Sequence, residues 1–439
     1  MLRRFTVKNF ASFRDEATLD LQATRERQHS ETLMHFQRAR WLPLTMIFGP
    51  NASGKSALVR AFKALRGLIS VRQDTREPLT PHAFGEHAKL PCEFTIEYSV
   101  PVDGREKIAR YYVAATNARV VKESLHQVLF DGSFDLVFER NNPQGSPASF
   151  VTFGEKYSGD DVLLSFGKTV YQSTSLLGVI GRDDRAPAFI QAAFRWFFDT
   201  LQIVEPDSQY IPLLGNLDSD STFRGAISAV LSQSDTGIQS LFTQEVDLSR
   251  VPFTPKELME IMEIVAGGRD VLASAYKERY LFTQKEDSPE EMTVRALKTL
   301  HAEGVTFDIL EESDGTQRFI DLLPMLLDLQ TPGVRRVYVV DELERSLHPA
   351  LTRLLVERYL EGCSKDTHTQ LIFTTHETEL LDQELIRRDE VWLTEKVDGA
   401  GQASELVALS DYAPQELRKG MSLRDVYLSG RVGALPRKI

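Results

Sequence analysis

The residues with the clearest chemical meaning form a glycine-rich loop that ends in a lysine and a serine, at positions 49–56. They fit the pattern G-x-x-x-x-G-K-[ST], with an apolar run before and a helical pattern after, the setting that a phosphate-binding loop requires. In such a loop the backbone N–H groups surround a phosphate, the lysine reaches the β and γ phosphates, and the serine binds Mg²⁺. We therefore predict an ATP site at Gly49, Pro50, Asn51, Ala52, Ser53, Gly54, Lys55 and Ser56.

A second chemical feature lies near the other end of the chain, where two acids follow an apolar run. Asp341 and Glu342 come directly after Val-Tyr-Val-Val at 337–340. A phosphate-binding loop needs a carboxylate for its metal and a base for water, and ligands gather at the carboxyl ends of strands in open α/β sheets. We expect Ser56 and Asp341 to bind Mg²⁺ and Glu342 to act as general base. An exposed acidic turn is the alternative interpretation.

The elements that must position these residues show strand and helix patterns. Hairpin turns are predicted at Asp103-Gly104 and Asp131-Gly132, and a helix at 56–68. From Gly304 onward, apolar runs separated by a helical segment predict a parallel sheet. The predicted strands are 4–8, 17–21, 44–48, 94–100, 109–113, 128–130, 305–310, 336–340 and 370–374.

The central part of the chain shows a different pattern. Spacing near 3.6 predicts helices at 188–198, 223–231 and 255–265. We therefore predict an α/β fold in three segments. A lobe with a mixed β-sheet and the loop spans 1–157, an inserted helical domain spans 158–300, and a parallel-sheet lobe that completes the first segment spans 301–439.

The composition limits the classes of function. The chain has 439 residues, 42% hydrophobic and 26% charged, which is typical of a folded protein of two or three domains. A net charge of -12 argues against coating nucleic acid by bulk attraction. Cys92 and Cys363 have no metal-site spacing, and no run reaches membrane-span length, so we expect a reduced, cytoplasmic protein without a membrane segment.

The acidic pair and three further stretches carry a family resemblance. Asp341-Glu342 is followed by Arg-Ser-Leu-His-Pro at 345–349, preceded by Glu-Ser-Asp-Gly-Thr-Gln-Arg at 312–318, and followed later by Phe-Thr-Thr-His-Glu at 373–377. Together they resemble the ABC-class ATPases of the SMC, RecF and OLD type, in which they correspond to the Walker B pair, the D-loop, the signature motif and the switch histidine. The order along the chain also agrees with that class.

Within that class the sequence is most similar to the AAA-fifteen or "AAA ATPase domain" group, which includes the RloA and AbiLi-like proteins of bacterial phage defence. This resemblance extends over nearly the whole chain and includes residues 9–13, 234–238 and 427–436.

The resemblance implies a composite site shared by two subunits. Ser313 and Gly315 of one subunit would contact the γ-phosphate held by Lys55 of the other, so hydrolysis would require a head-to-tail dimer or a larger homo-oligomer. His376 would contact the γ-phosphate or the attacking water. Asp314 departs from the family pattern, which has glycine at that place, and it would repel a phosphate unless it turns away. The glutamine that joins the lobes in this class has one candidate, by position alone, at 73.

Three hypotheses about function follow. In the leading one, ATP-driven assembly controls a separately encoded effector, a nuclease or toxin, in antiviral defence, because this chain shows no ordered acid cluster of a nuclease. The alternatives are a RecF-like DNA-binding repair ATPase and a scaffold that holds ATP without turnover. The DNA-binding alternative needs a basic patch, for which the candidates are Arg66, Arg72, Arg76, Arg110, Arg119, Lys122 and Arg140.

Overall fold

The computed structural model describes residues 1–36, 39–70, 78–143, 145, 149–206, 217, 220–234, 236–268, 270–275, 278–285, 288–397, 402–412 and 422–430. The chain forms two compact units. Unit 1 comprises Met1–Pro206, Pro332–Glu344 and Arg353–Ile439, and unit 2 comprises Asp207–Thr331 and Arg345–Thr352.

The strands and helices are numbered in chain order. The strands are β1 Leu2–Lys8, β2 Ala17–Asp20, β3 Met34–Phe36, β4 Ala39–Trp41, β5 Leu44–Phe48, β6 Cys92–Val102, β7 Arg105–Ala115, β8 Val120–Val128, β9 Phe134–Asn141, β10 Phe150–Phe153, β11 Leu201–Val204, β12 Ser240–Glu245, β13 Val271–Ala275, β14 Glu278–Lys285, β15 Ser288–Leu300, β16 Thr306–Asp308, β17 Arg336–Val340, β18 Thr369–Thr374, β19 Val391–Lys396 and β20 Ser404–Ala408. The helices are α1 Lys55–Ile69, α2 Asp161–Thr169, α3 Leu176–Ile180, α4 Ala188–Arg195, α5 Ser221–Gln233, α6 Pro255–Ala266, α7 Asp314–Gln330, α8 Pro349–Gly362 and α9 Leu423–Leu428.

A six-stranded sheet in unit 1 joins the two ends of the chain, in the order β11-β17-β18-β5-β19-β20. All neighbouring pairs are parallel except β19 with β20. Every residue of β5 and β18 is buried, which explains their apolar runs, because strands covered on both faces cannot alternate with polar residues. The carboxyl ends of β5, β17 and β18 therefore lie side by side at one edge of this sheet.

A seven-stranded antiparallel sheet forms the other layer of unit 1, in the order β10-β9-β8-β7-β6-β1-β2. The turn between β6 and β7 has positive φ at Asp103 and Gly104, 52° and 70°, so the hairpin predicted there is confirmed. Helix α1 packs on this sheet, with the Phe5 and Phe62 rings stacked at 3.8 Å. The first segment thus contributes to two sheets, since β5 pairs with strands from the C-terminal segment.

Unit 2 contains an antiparallel sheet in the order β12-β15-β14-β13, with β16 also pairing β15. This corrects the prediction of a helical insertion at 158–300: the helices at 188–198, 223–231 and 255–265 correspond to α4, α5 and α6, but much of 240–300 is strand. In β14 and β15 the buried residues Tyr280, Phe282, Val294 and Ala296 recur every second position, the period of a strand.

The boundaries of the two units also differ from the predicted segments. Helices α2, α3 and α4 and strand β11 belong to unit 1, because their apolar faces pack into its core. Unit 2 continues beyond residue 300 to Thr331 and takes in Arg345–Thr352. Pairing of β16 with β15 holds the residues just after 300 in this unit.

Candidate nucleotide site

The loop after β5 has a backbone that glycine alone adopts without strain at two positions. Gly49 has φ +154° and Gly54 has φ +122°. A Cβ atom on Gly49 would lie 2.4 Å from the Thr394 carbonyl oxygen, and one on Gly54 would lie 2.7 Å from Ser404 Oγ. Both distances are shorter than real Cβ contacts, so conformation and space require glycine here. Strand β19 and Ser404 therefore pack closely against the loop. The sequence patterns did not predict this contact.

The N-terminus of α1 follows the loop directly, and no side chain caps it. Its first N–H groups have no partner within the helix, which makes the end of the helix attractive to an anion. Lys55 is 6% exposed, and its Nζ donates hydrogen bonds to the carbonyl oxygens of Gly49 at 2.7 Å and Pro50 at 3.2 Å. Burial lowers the pKa of Lys55 to about 8, against the opposing charges of Glu344, Asp341 and Glu342. The ammonium group therefore lies inside the loop, where a phosphate would meet it.

The end of β17 brings the predicted metal carboxylate to the loop. Asp341 is 7% exposed, and its Oδ1 accepts hydrogen bonds from Thr374 Oγ1 at 2.6 Å and from Ser56 Oγ at 3.2 Å. Its backbone N–H donates to the carbonyl oxygen of Val204, on β11, at 2.8 Å. Ser56 and Asp341, 285 positions apart in the sequence, are thus in direct contact.

The spacing of these two oxygens suits a magnesium ion. Neighbouring ligands of an octahedral Mg²⁺ ion, each about 2.1 Å from the metal, lie about 3.0 Å apart. Ser56 Oγ and Asp341 Oδ1 are 3.2 Å apart, and both are the hard oxygen donors that Mg²⁺ prefers. The residues present therefore fit the ion.

Glu342 has a strained backbone at the position predicted for the general base. Its φ is +49°, in the left-handed region that costs a non-glycine residue free energy. Its N–H donates to Thr374 Oγ1 at 2.8 Å, and the same hydroxyl donates to Asp341. One threonine thus fixes both acids, and such strain is typical of functional sites.

His376 lies just beyond β18 at the same edge, and a residue that sequence reasoning missed holds its backbone. The His376 N–H donates to Glu344 Oε1 at 2.6 Å. Partial burial lowers the pKa of His376, with the positive charge of Lys55 as a smaller cause and the charges of nearby acids opposing it, which favours the neutral form of the ring. The sequence did carry a signal for Glu344, because a third acid follows Asp341-Glu342 after one residue.

The predicted signature residues form the start of α7 in unit 2. Ser313 caps this helix, and its Oγ accepts a hydrogen bond from the Thr316 N–H at 3.2 Å. A Cβ atom on Gly315 would lie 2.5 Å from the carbonyl oxygen of Ser346, so the close approach of the D-loop backbone requires glycine. Asp314 is exposed in the first turn of α7, where the helix dipole stabilises a carboxylate.

Several candidate residues of the DNA-binding alternative are engaged within the protein. Arg110 pairs with Glu97 at 2.7 Å and Lys122 with Glu139 at 2.9 Å. Arg140 is fully buried against Glu123, so the prediction that it could contribute to a surface patch is wrong. Gln73, Arg72 and Arg76 lie outside the described residues.

The described part of the chain contains no group of three or more His, Cys, Asp and Glu side chains arranged to hold a metal. Among the same residues, none of the helices combines the length and the apolar character needed to cross a bilayer. Burial raises the pKa of the Cys92 and Cys363 thiols to about 12, as for inert cysteines.

Fold and site together define a P-loop ATPase class: a parallel sheet, a glycine-rich loop before a helix, and an acidic pair at the end of a neighbouring strand. Residues 44–382 match the family described as "AAA domain, putative AbiEii toxin, Type IV TA system". Because the match covers more than half of the chain, the protein belongs to this family.

Among solved structures, the chain is similar to three SMC heads. An "SMC head domain from Thermotoga maritima" is 12% identical over 93% of this chain and 98% of that one, with a TM-score of 0.35. A "SmcHead bound to the C-winged helix domain of ScpA" is 14% identical over 93% and 97%, with a TM-score of 0.38. An Smc head with an extended coiled coil, bound to a ScpA domain derived from Pyrococcus furiosus, is 14% identical over 95% and 99%, with a TM-score of 0.38. No curated protein matches the sequence.

Proposed function

We propose that this protein binds and hydrolyses ATP, and that nucleotide-driven assembly of its subunits controls a separate effector. The observation that carries the proposal is the contact of Ser56 Oγ with Asp341 Oδ1 at 3.2 Å, beside the buried Nζ of Lys55. A lysine, a hydroxyl and a carboxylate at one helix N-terminus are the groups that a magnesium-bound triphosphate requires.

Each residue of the site has a distinct role in this proposal. Lys55 exchanges its two loop carbonyls for phosphate oxygens, which form stronger bonds with an ammonium because both partners are charged. Glu342 accepts a proton from the attacking water, and Thr374 fixes the backbone from which it acts. The neutral form of His376 can donate one hydrogen bond to the γ-phosphate or the water.

Ser56 and Asp341 would hold Mg²⁺ in this proposal. When bound, the ion would supply positive charge that offsets the negative charge of the β and γ phosphates. The hydrogen bond from Thr374 Oγ1 would keep the Asp341 carboxylate oriented for this role.

The signature residues would complete the site of a second subunit. Ser313 and Asp314 are exposed, and the start of α7 offers a hydroxyl and helix N–H groups suited to a γ-phosphate. Transfer would then require a head-to-tail dimer or larger homo-oligomer.

The biological role that we propose is antiviral defence in bacteria, in the cytoplasm, on the basis of the resemblance to the RloA and AbiLi-like proteins. The family description names a toxin and a toxin–antitoxin system, which agrees with control of a nuclease or toxin. In this proposal the effector is a separately encoded protein.

Glu342→Gln tests the proposed activity. The amide keeps the size of the side chain but cannot accept the proton, so we expect ATP hydrolysis to fall by about 100-fold or more while ATP affinity is retained. Phosphate release and equilibrium ATP binding are measured on the same preparation. The control is Glu361→Gln on the exposed surface of α8. Undiminished ATP hydrolysis in Glu342→Gln would show that Glu342 is not the general base. If the unmodified protein does not hydrolyse ATP at all, the scaffold hypothesis would be favoured.

A mixing experiment tests the shared site. Ser313→Arg places a long cation at the start of α7 and should stop turnover with ATP binding intact. Lys55→Ala should lose ATP binding with α7 intact. A mixture of the two variants contains dimers with one complete composite site, so activity should reappear. Mixtures that stay inactive at all ratios would contradict the shared site.

A RecF-like DNA-binding ATPase has less support. The carboxylate partners of Arg110 and Lys122 and the burial of Arg140 leave few of the proposed cations in the β7 to β9 region for a duplex. DNA affinity that rises with ATP and falls steeply with salt would favour this alternative.

A further inference from the structure

An acid directly before the signature turn is bound to the sheet of unit 2. Glu312 precedes Ser313, and its Oε1 accepts hydrogen bonds from Thr299 Oγ1 at 2.6 Å and from His301 Nε2 at 2.7 Å. A carboxylate oxygen accepts and does not donate, so Nε2 carries a ring proton in this contact. Thr299 lies in the last turn of residues of β15, and His301 directly follows that strand. The end of β15 is therefore hydrogen-bonded to the start of the signature motif.

This contact lies largely out of solvent, and its donors are held in place. The Glu312 side chain is 11% exposed, and Thr299 is fully buried. The His301 ring meets the Phe307 ring of β16 edge-on, with centroids 5.0 Å apart, and the His301 N–H donates to the Val305 carbonyl oxygen at 2.8 Å. A hydrogen bond in such surroundings is stronger than one in water, and a buried donor left without its acceptor is costly.

The other hydrogen bonds of the turn are local. Ser313 Oγ accepts from the Thr316 N–H at 3.2 Å, and Gln317 Nε2 donates to the Glu312 carbonyl oxygen at 2.8 Å. These bonds shape the first turn of α7, but they do not tie it to the sheet, because all of their partners belong to the turn itself. The side chain of Glu312 supplies such a tie.

The same contact keeps the charge of Glu312 away from the exposed face of the turn. A free carboxylate at this place could accept from the first N–H groups of α7 and would repel a triphosphate. The Glu312 carboxylate is instead bound by two donors at the end of β15. The exposed Ser313 hydroxyl and the start of α7 thus remain available to a phosphate.

We propose that Glu312 is a positioning residue for ATP hydrolysis: bound by Thr299 and His301, it sets the place from which Ser313 meets the γ-phosphate held by a second subunit. This inference rests on the proposed function, in which the signature turn acts on the nucleotide of another copy of the chain. Glu312 does not itself touch the nucleotide. Its loss should lower turnover and leave ATP binding at the loop unchanged.

Substitutions of Glu312 in the full chain give the first test. Glu312→Ala removes the acceptor of both donors, and we expect kcat to fall about tenfold or more while equilibrium ATP affinity is retained. Glu312→Gln keeps an oxygen that can accept from Thr299 and His301, so it should restore most of the rate. The control is Glu291→Ala, because Glu291 pairs with Lys285 at 2.7 Å near the other end of β15. Its kcat should not change.

Mixed dimers show on which side of the shared site Glu312 acts. When Ser313→Arg is mixed with Lys55→Ala, the restored site takes its signature turn from the Lys55→Ala chain. Adding Glu312→Ala to the Lys55→Ala chain should therefore remove most of the recovered activity. Adding it to the Ser313→Arg chain should leave the recovery intact. A general defect in folding would lower the activity of both mixtures to the same extent.

Equal recovery in the two arrangements overturns the proposal, and so does a kcat of Glu312→Ala that matches the unmodified protein. If the mixture that lacks Glu312→Ala stays inactive, the shared site of the proposed function is itself wrong. Thermal melting verifies that each variant is folded. Should Glu312→Ala not fold, Thr299→Val replaces it in both mixtures, because it removes one donor with little change in shape. The same asymmetry is then expected, with a loss of about threefold.

Discussion

The loop of unit 1 and the signature turn of unit 2 both begin a helix, but they are built in opposite ways. Lys55 and Asp341 are 6% and 7% exposed, and Asp341 contacts Ser56 and Thr374, which lie on elements far from it in the sequence. Ser313 and Asp314 are exposed, and Ser313 Oγ bonds with Thr316 three residues away. The first region is complete within its own unit, whereas the second presents donors to solvent.

This difference separates the two tasks proposed for the protein. A buried lysine with a positioned hydroxyl and carboxylate can hold a nucleotide without a second molecule. An exposed helix start acts on a nucleotide only when another surface brings one to it. Changes in the first region should therefore affect binding, and changes in the second should affect turnover alone.

Lys55→Ala should have the largest effect, and it tests whether the buried region of unit 1 binds ATP. Two charge-assisted contacts with phosphate are lost, so ATP affinity should fall by about 100-fold or more. Equilibrium dialysis with labelled ATP measures the change, and Lys89→Ala, an exposed lysine in the same unit, is the control. Unchanged ATP affinity would show that the loop is not the nucleotide-binding site.

Gly315→Ala tests the second half. The added Cβ would lie 2.5 Å from the Ser346 carbonyl oxygen, so the turn must shift, and turnover should fall on the order of 30-fold while ATP binding is retained. Gly225→Ala, where a Cβ meets open space in the same unit, is the matched control. If both variants hydrolyse ATP equally well, the signature turn has no part in the reaction.

Substitutions of Glu344 test how the residues of the first region are held in position. Glu344→Ala removes the acceptor of the His376 N–H, and we expect turnover to fall about tenfold with little change in ATP affinity. Glu344→Gln keeps an acceptor oxygen and should recover most of the rate. A positioning role requires that recovery. Equal losses in the two variants would instead assign the effect to the charge.

Glu390 should give the smallest effect, on stability alone. Burial raises its pKa to about 8, from 4.5 in the unfolded chain, so the folded state binds an extra proton between these values and stability falls as pH rises through this window. Glu390→Gln should remove this dependence, so between pH 5 and pH 8 the variant should lose less stability than the unmodified protein, by on the order of 3 kcal/mol. Thermal melts at pH 5 and pH 8 measure it. A difference in thermal stability between the variant and the unmodified protein that is the same at both pH values would contradict the prediction.

Local sequence patterns predicted much of the fold, but they failed for segments whose structure depends on pairing with other parts of the chain. The strand 44–48, the helix after the loop and the Asp103-Gly104 hairpin follow from runs and turn residues next to one another in the chain. The segment 271–300 was part of the predicted helical insertion, yet it contains the strands β13, β14 and β15, which form one sheet with β12. Periodicity in a single segment does not reveal the neighbours that satisfy its backbone.

The candidate site likewise combines features that the local sequence predicts with contacts that depend on distant parts of the chain. The types and spacing of Gly49, Gly54 and Lys55 indicate phosphate chemistry by themselves, and that role remains a prediction to be tested. The third acid after Asp341-Glu342 was a signal for Glu344, but its contact with His376 and the burial of Arg140 depend on residues distant in the sequence.

The residue types in the chain set the chemistry available to this protein, because backbone freedom at glycine and the charges of lysine and aspartate belong to the residues themselves. Which of these groups meet depends on how the strands pair in the folded sheet. Parallel pairing of β18 with both β5 and β17 sets Ser56 beside Asp341. That register depends on burying two continuous apolar strands between covered faces, a property of the whole sheet rather than of any one segment.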